Sequence, residues 1–218
     1  MMMTDSTRKS WFTLLLALCL CSFFFFTRVY WYTPWCSTIP TPCLPENVNA
    51  IDRIVFQFKS VNADFWSNVI QNFVGTVVFV APWALFSKKI ALEETRNTAT
   101  ITFWNLAIME AVSALVQRPR PLVFNSVLGD GLKISQYNSF YSGHTSFVAL
   151  ASLSFFLMVR RRFPTISSTT RGCLLFGYIT LTVLTGTLRV LGGRHYPTDV
   201  LAGLIIGSGI AVYFQKKY

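Results

Sequence analysis

Apolar residues run along this chain in six blocks separated by polar and charged stretches. The blocks extend from about Trp11 to Tyr32, Phe65 to Phe86, Thr98 to Val116, Ser142 to Val159, Gly172 to Leu191 and Thr198 to Phe214. A helix needs roughly 20 mostly apolar residues to cross the hydrocarbon layer, with a lower limit of about 17. The pattern therefore predicts an all-α integral membrane bundle of six transmembrane helices. The fourth and sixth blocks are short, so their ends draw in polar residues. Between the first two blocks, Ile51, Ile54, Val55, Phe58 and Phe65 recur at helical spacing, with Asp52, Lys59 and Asp64 on other faces. That segment, Asn49 to Asn68, reads as a helix lying in the outer interface. The chain then divides into residues 1–64, an anchor span with an outer loop and interfacial helix, and residues 65–218, the main helical bundle.

Composition agrees with this pattern. Hydrophobic residues make up 52% of the chain and charged ones 13%, about half the charged share of an ordinary soluble domain. The net charge of +10 is spread in short groups between apolar blocks. A nucleic-acid partner would call for a clustered basic surface, so the expected partners are the bilayer and its head groups, with no nucleic acid. Arg8 and Lys9 precede the first block as in a signal peptide. That block is long for a signal core, and no A-x-A site follows. LALC resembles a lipoprotein box only with Leu18 in the place of a small residue, so the block reads as an uncleaved anchor.

Orientation follows from the basic residues. With six alternating spans and an inner N-terminus, the inner segments hold eleven of the nineteen: Arg8, Lys9, Lys88, Lys89, Arg96, Arg160, Arg161, Arg162, Arg171, Lys216 and Lys217. These sit tight against span ends, as the positive-inside rule expects. Among the five cysteines, Cys19, Cys21 and Cys173 lie in apolar blocks and read as small buried hydrophobes. Cys36 and Cys43 flank a Pro-rich polar stretch, and an oxidising compartment there would allow them to form a disulfide.

The outer segments carry the chemistry. Both histidines, His144 and His195, fall there with Arg118, Arg120, Arg189, Arg194 and Asp199. Ionisable residues at span ends are costly and are usually functional. They group into three segments: SALVQRPRP (Ser113 to Pro121), YSGH (Tyr141 to His144) and RVLGGRHYPTD (Arg189 to Asp199). Together these resemble the type 2 phosphatidic acid phosphatase superfamily, whose pattern is K-x6-R-P, then P-S-G-H, then S-R-x5-H-x3-D. Arg120 and Pro121 match the first motif, Ser142, Gly143 and His144 the second, and Arg189, His195 and Asp199 the third. Ser113, Tyr141 and Leu188 stand where the family has Lys, Pro and Ser.

The resemblance implies a metal-independent and cofactor-free lipid phosphatase, in its bacterial members a multi-pass protein of the inner membrane with the site on the periplasmic face. Phosphoryl transfer asks mainly for positioning and charge stabilisation. Arg120 and Arg189 form the expected phosphate clamp, with Arg118 as a partial substitute for the missing Lys. Ser142 and Gly143 open the fourth helix, where free N–H groups favour an anion. His195 is the expected nucleophile, forming a phospho-histidine, with Asp199 accepting a hydrogen bond from its ring. His144 is the expected general acid and then base. Few carboxylates and two histidines leave no evident metal cage. Lipid A, undecaprenyl pyrophosphate, phosphatidylglycerol phosphate and phosphatidic acid are candidate substrates. Arg118, Arg194 and Lys133 tilt the expectation toward a multiply charged head group. A lipid phosphotransferase on the same scaffold, or a non-catalytic lipid-binding or transport protein, remains an alternative.

Overall fold

A computed structural model describes residues 5–30, 45–125 and 138–217. Each apolar block forms a helix: α1 (Asp5–Tyr30), α2 (Val61–Leu85), α3 (Lys88–Val116), α4 (Gly143–Arg162), α5 (Ser168–Leu191) and α6 (Pro197–Lys217). All six are long and apolar enough to cross a membrane. Consecutive spans alternate in direction, so α2, α4 and α6 begin where α3 and α5 end.

The termini follow local chemistry. Ser60, Ser142 and Ser167 each accept a hydrogen bond from the backbone N–H three residues on and so cap α2, α4 and α5. Gln117 ends α3 in the left-handed conformation, and Pro119 and Pro121 prevent the helix from resuming. Pro197 opens α6, where a missing N–H costs nothing. Asp199 then reaches back to the N–H of Tyr196 at 3.0 Å, as the third helical residue of a capping box does.

Segment 49–68 is not the continuous interfacial helix that its apolar spacing predicts. It folds as a 3₁₀ turn, Asp52–Gln57, and an extended step at Phe58, and then enters α2 at Val61. Two attachments break the helix. Asp52 is fully buried and accepts bonds from Asn49, Arg118 and Thr198. The Ser60 N–H donates to the Leu191 carbonyl at 2.9 Å, fastening the extended step to the end of α5. Val55 packs inward with Val48 and Tyr196, while Ile51 and Ile54 are exposed.

α4 is the central helix, packed by α2, α3, α5 and α6. Its seam with α6 is the closest. A Cβ on Gly203 would stand 2.6 Å from the Ser142 carbonyl oxygen, and one on Gly207 would collide with that of Ser146. This small-xxx-small spacing lets two membrane helices touch backbone to backbone. On the far side α1 packs on α3, where Arg28 pairs with the buried carboxylate of Glu110. Cys36, Cys43 and Lys133 lie outside the described residues.

Candidate active site

Residues at or beside the ends of five helices converge on one side of the bundle. His195 is 2% exposed, held in the short link between α5 and α6. Gly193 makes that link possible, since its φ of +64° suits glycine and a Cβ there would lie 2.9 Å from the Phe58 carbonyl oxygen. His195 Nδ1 donates to the Ser139 carbonyl at 2.8 Å. The Asp199 carboxylate is 3.7 Å from the same nitrogen, beyond hydrogen-bond reach. The expected direct His195–Asp199 bond is thus replaced by a relay: Ser139 Oγ donates to Asp199 Oδ2 at 2.6 Å while the Ser139 carbonyl fixes the ring. With its proton on Nδ1, the ring leaves the lone pair on Nε2. Burial first, and then the charges of Arg120 and Arg189, push the His195 pKa from 6.5 down to about 4 against the pull of Asp199.

Arg118, the expected substitute for the missing Lys, is already engaged within the protein. Its guanidinium donates to Asp199 at 2.5 Å, to Asp52 at 2.6 Å and to Thr198 at 2.9 Å, and it stacks 3.9 Å over the Tyr196 ring. Two carboxylates already take its donors and cancel its charge. For Asp52, burial pushes the carboxyl up, but hydrogen bonds from Arg118 and Thr198 outweigh it and hold the group below the usual carboxylate range.

Arg120 and Arg189 behave otherwise. Arg189 Nη1 donates to Asp64 Oδ1 at 2.6 Å and to Ser67 Oγ at 3.2 Å, but its Nε is buried and unpartnered among the described residues. The Arg120 Nε is likewise buried with no partner. Both arginines lie close enough to His195 to act on its charge. Buried donors without acceptors are costly; other buried polar atoms here also lack partners, but these two are cationic and near His195, which makes them candidates to receive an anion.

At the start of α4, Ser142 and Gly143 differ in what they leave free. The Ser142 N–H donates to the Asp199 carbonyl at 3.0 Å and its side chain caps the helix, so Ser142 offers no free donor. The N–H groups of Gly143 and His144 have no partner among the described residues. The His144 Nε2 lies 2.6 Å from Asn68 Oδ1. That oxygen can only accept, so Nε2 carries a proton. Ser113, in the place of the family's Lys, is buried and bonded to the Phe140 carbonyl at 3.3 Å.

The expectation of a multiply charged head group loses its support here, because Arg118 is neutralised and Arg194 Nη2 is paired with Asp64 at 2.8 Å. Asp52, Asp64, Ser67, Asn68 and Ser139 are site residues that the motifs do not contain. The only signal for Asp64 and Asn68 is polarity at the head of an apolar block. Among the described residues no cluster of His, Cys, Asp and Glu fits a metal.

The profile of the PAP2 superfamily matches residues 95–217. This chain belongs to that superfamily. The matched region holds all three PAP2 motifs, whereas Asp52, Asp64, Ser67 and Asn68 precede it. Phospholipid phosphatase 1 of Rattus norvegicus is 37% identical over 75 residues, covering 34% of this chain and 27% of the rat protein, so the chain matches about a quarter of that relative's length. The crystal structure of a transmembrane PAP2 type phosphatidylglycerolphosphate phosphatase from Bacillus subtilis is similar with a TM-score of 0.57, over 92% of this chain and 94% of that one, at 19% identity. The PAP2 fold is thus shared along nearly the whole chain, including the two spans that the family profile leaves out.

Proposed function

We propose that this protein hydrolyses a phosphomonoester on a membrane lipid at the outer face of the bilayer. The observation that carries the reading is the pair of buried, unpartnered guanidinium N–H groups of Arg120 and Arg189 beside a neutral His195 with a free Nε2. A phosphate takes those donors and the free N–H groups at the head of α4. His195 Nε2 attacks phosphorus, and the bond from phosphorus to the lipid oxygen breaks. His144 gives its proton to the departing oxygen, releasing the lipid alcohol. Water, deprotonated by His144, then cleaves the phosphorus–nitrogen bond and frees inorganic phosphate and neutral His195. Arg118, Asp52, Asp199 and Ser139 hold the nucleophile in place.

A lipid substrate fits a site built from span ends, where a head group slides in from the side. The relatives act, by name, on a phospholipid and on phosphatidylglycerolphosphate. The basic residues Lys88, Lys89 and Arg160 to Arg162 sit at the helix ends opposite the site, which supports reading the site as outward-facing, on the periplasmic side of a bacterial inner membrane. The test is phosphate release by purified protein in liposomes holding phosphatidic acid or phosphatidylglycerol phosphate. We expect release from at least one lipid and none by His195→Ala. No release from either, or undiminished release by His195→Ala, overturns the reading.

A further inference from the structure

Asp64 stands in α2, outside the three motifs and outside the profile-matched region. Its carboxylate bridges two guanidinium groups, taking Arg189 Nη1 at 2.6 Å and Arg194 Nη2 at 2.8 Å. It also acts on the charge of Arg120, which in turn feels Arg189 and Arg194. Two arginines bond this one carboxylate, and Arg194 is the more accessible of the pair, with its side chain 41% exposed against 4% for Arg189. The Arg194 backbone is fixed by its N–H to the Arg189 carbonyl at 3.1 Å, so any movement of its charge lies in the long, exposed side chain. A carboxylate and a phosphate present oxygen pairs of the same kind to an arginine fork. Asp64 therefore occupies one edge of the clamp as a phosphate oxygen would.

The charge count gives this contact a consequence. Arg118, Arg120, Arg189 and Arg194 face Asp52, Asp64 and Asp199. The site holds a single surplus positive charge from these groups. A phosphomonoester, with roughly two negative charges, exceeds that surplus modestly, and a pyrophosphate exceeds it further.

We propose that Asp64 is a built-in counter-anion of the phosphate site. It holds Arg194 in the empty protein and gives it up to an arriving phosphate oxygen. By cancelling one positive charge it sets a preference for a lipid monophosphate over a lipid pyrophosphate. This rests on the phosphatase reading above, and it makes Asp64 a specificity-determining residue. The rival role, a fixed anchor that only aims Arg189, predicts the opposite sign on mutation.

The experiment measures binding of inorganic phosphate to purified protein in phosphatidylcholine nanodiscs, and kcat/KM for phosphatidic acid and for a prenyl pyrophosphate. Asp64→Asn should bind phosphate about tenfold more tightly, the lower end of what a unit charge at this range does to a neighbouring equilibrium. Its relative activity on the pyrophosphate should rise. Weaker phosphate binding, or an equal change for both lipids, overturns the proposal in favour of the anchor. Arg194→Gln supplies an independent reading if Asp64→Asn does not fold: phosphate binding should weaken, and unchanged binding overturns the proposal. A wild-type protein that neither binds phosphate nor hydrolyses either lipid would instead sink the phosphatase reading itself.

Discussion

At the residue scale, the two histidines should fail differently. His195→Ala removes the only candidate nucleophile, so turnover and any trapped phospho-enzyme should vanish. His144→Ala removes the proton given to the leaving oxygen, a contribution of about 10²–10⁴-fold. It should retain more activity toward an aryl phosphate, whose leaving group needs no proton, than toward a lipid. Rapid-quench labelling and a two-substrate comparison check both, and label on His144 would reverse the assignment. Acid should act on His195 in a defined window. Its folded pKa of about 4 lies below the ordinary 6.5, so between those values the unfolded chain binds more protons. Stability therefore falls as pH drops from about 6.5 through about 4. Asp52, held below the usual carboxylate range, adds its own loss at more acid pH. The acid limb of kcat/KM should lie near pH 4, and melting curves in detergent from pH 7 to 4 should show the decline. An unchanged midpoint across that range would contradict the neutral, buried His195.

The motif residues were legible in the sequence because their spacing alone places them at neighbouring span ends. Their partners were not. Arg118 reads as one more phosphate ligand until Asp52 and Asp199 are seen on its two edges. Asp52 lies far from both in sequence. Arg118→Ala should accordingly lower kcat and the melting temperature more than it raises KM. Breaking a buried pair typically costs about 3–5 kcal/mol because the remaining charge has no partner. A variant with unchanged stability and a KM-only defect would restore Arg118 as a substrate ligand.

At the scale of elements, all six helices were legible, since a span must satisfy every backbone group internally and leaves a long apolar record, but α3 begins at Lys88, ten residues before its apolar block, because a helix can run on through polar residues beyond the span. Segment 49–68 was misread because helical spacing of apolar residues says nothing about a carboxylate being drawn inward. Asp52 and the Ser60–Leu191 bond decide its path. The α4–α6 seam carries a further prediction. Gly207→Val would drive a side chain into the Ser146 carbonyl and spread the two helices that present His144 and Asp199. Overpacking costs about 1–3 kcal/mol, occasionally more, and activity should fall more sharply than stability. Substitution at Gly209, where no atom lies within 4 Å of a new Cβ, is the control. Equal behaviour of the two variants would mean that the seam does not position the site.

At the scale of the whole molecule, six alternating spans bring the three motifs to one end and the turn bearing Thr165 to the other. A cysteine probe at Asn125 should react with a membrane-impermeant reagent added outside intact cells, and one at Thr165 should not. The reverse pattern would move the site to the cytoplasm. The basic span ends are the signal in the sequence on which that orientation rests. The sequence did not announce that α2, remote from the motifs, supplies Asp64, Ser67 and Asn68 to the same end.

The attachment of Ser142 and Ser139 to Asp199 also bears on how the protein is made. Asp199 opens the last of the six spans to leave the ribosome, and its carbonyl and carboxylate secure the head of α4, the Ser139 strap and Arg118. Before α6 enters the bilayer, α2 already ties Arg189 and His144 through Asp64 and Asn68, while Arg118 and Ser139 still lack the Asp199 carboxylate that holds them. Assembly of the site therefore finishes only when α6 docks on α4 and brings Asp199 to Ser142, Ser139 and Arg118.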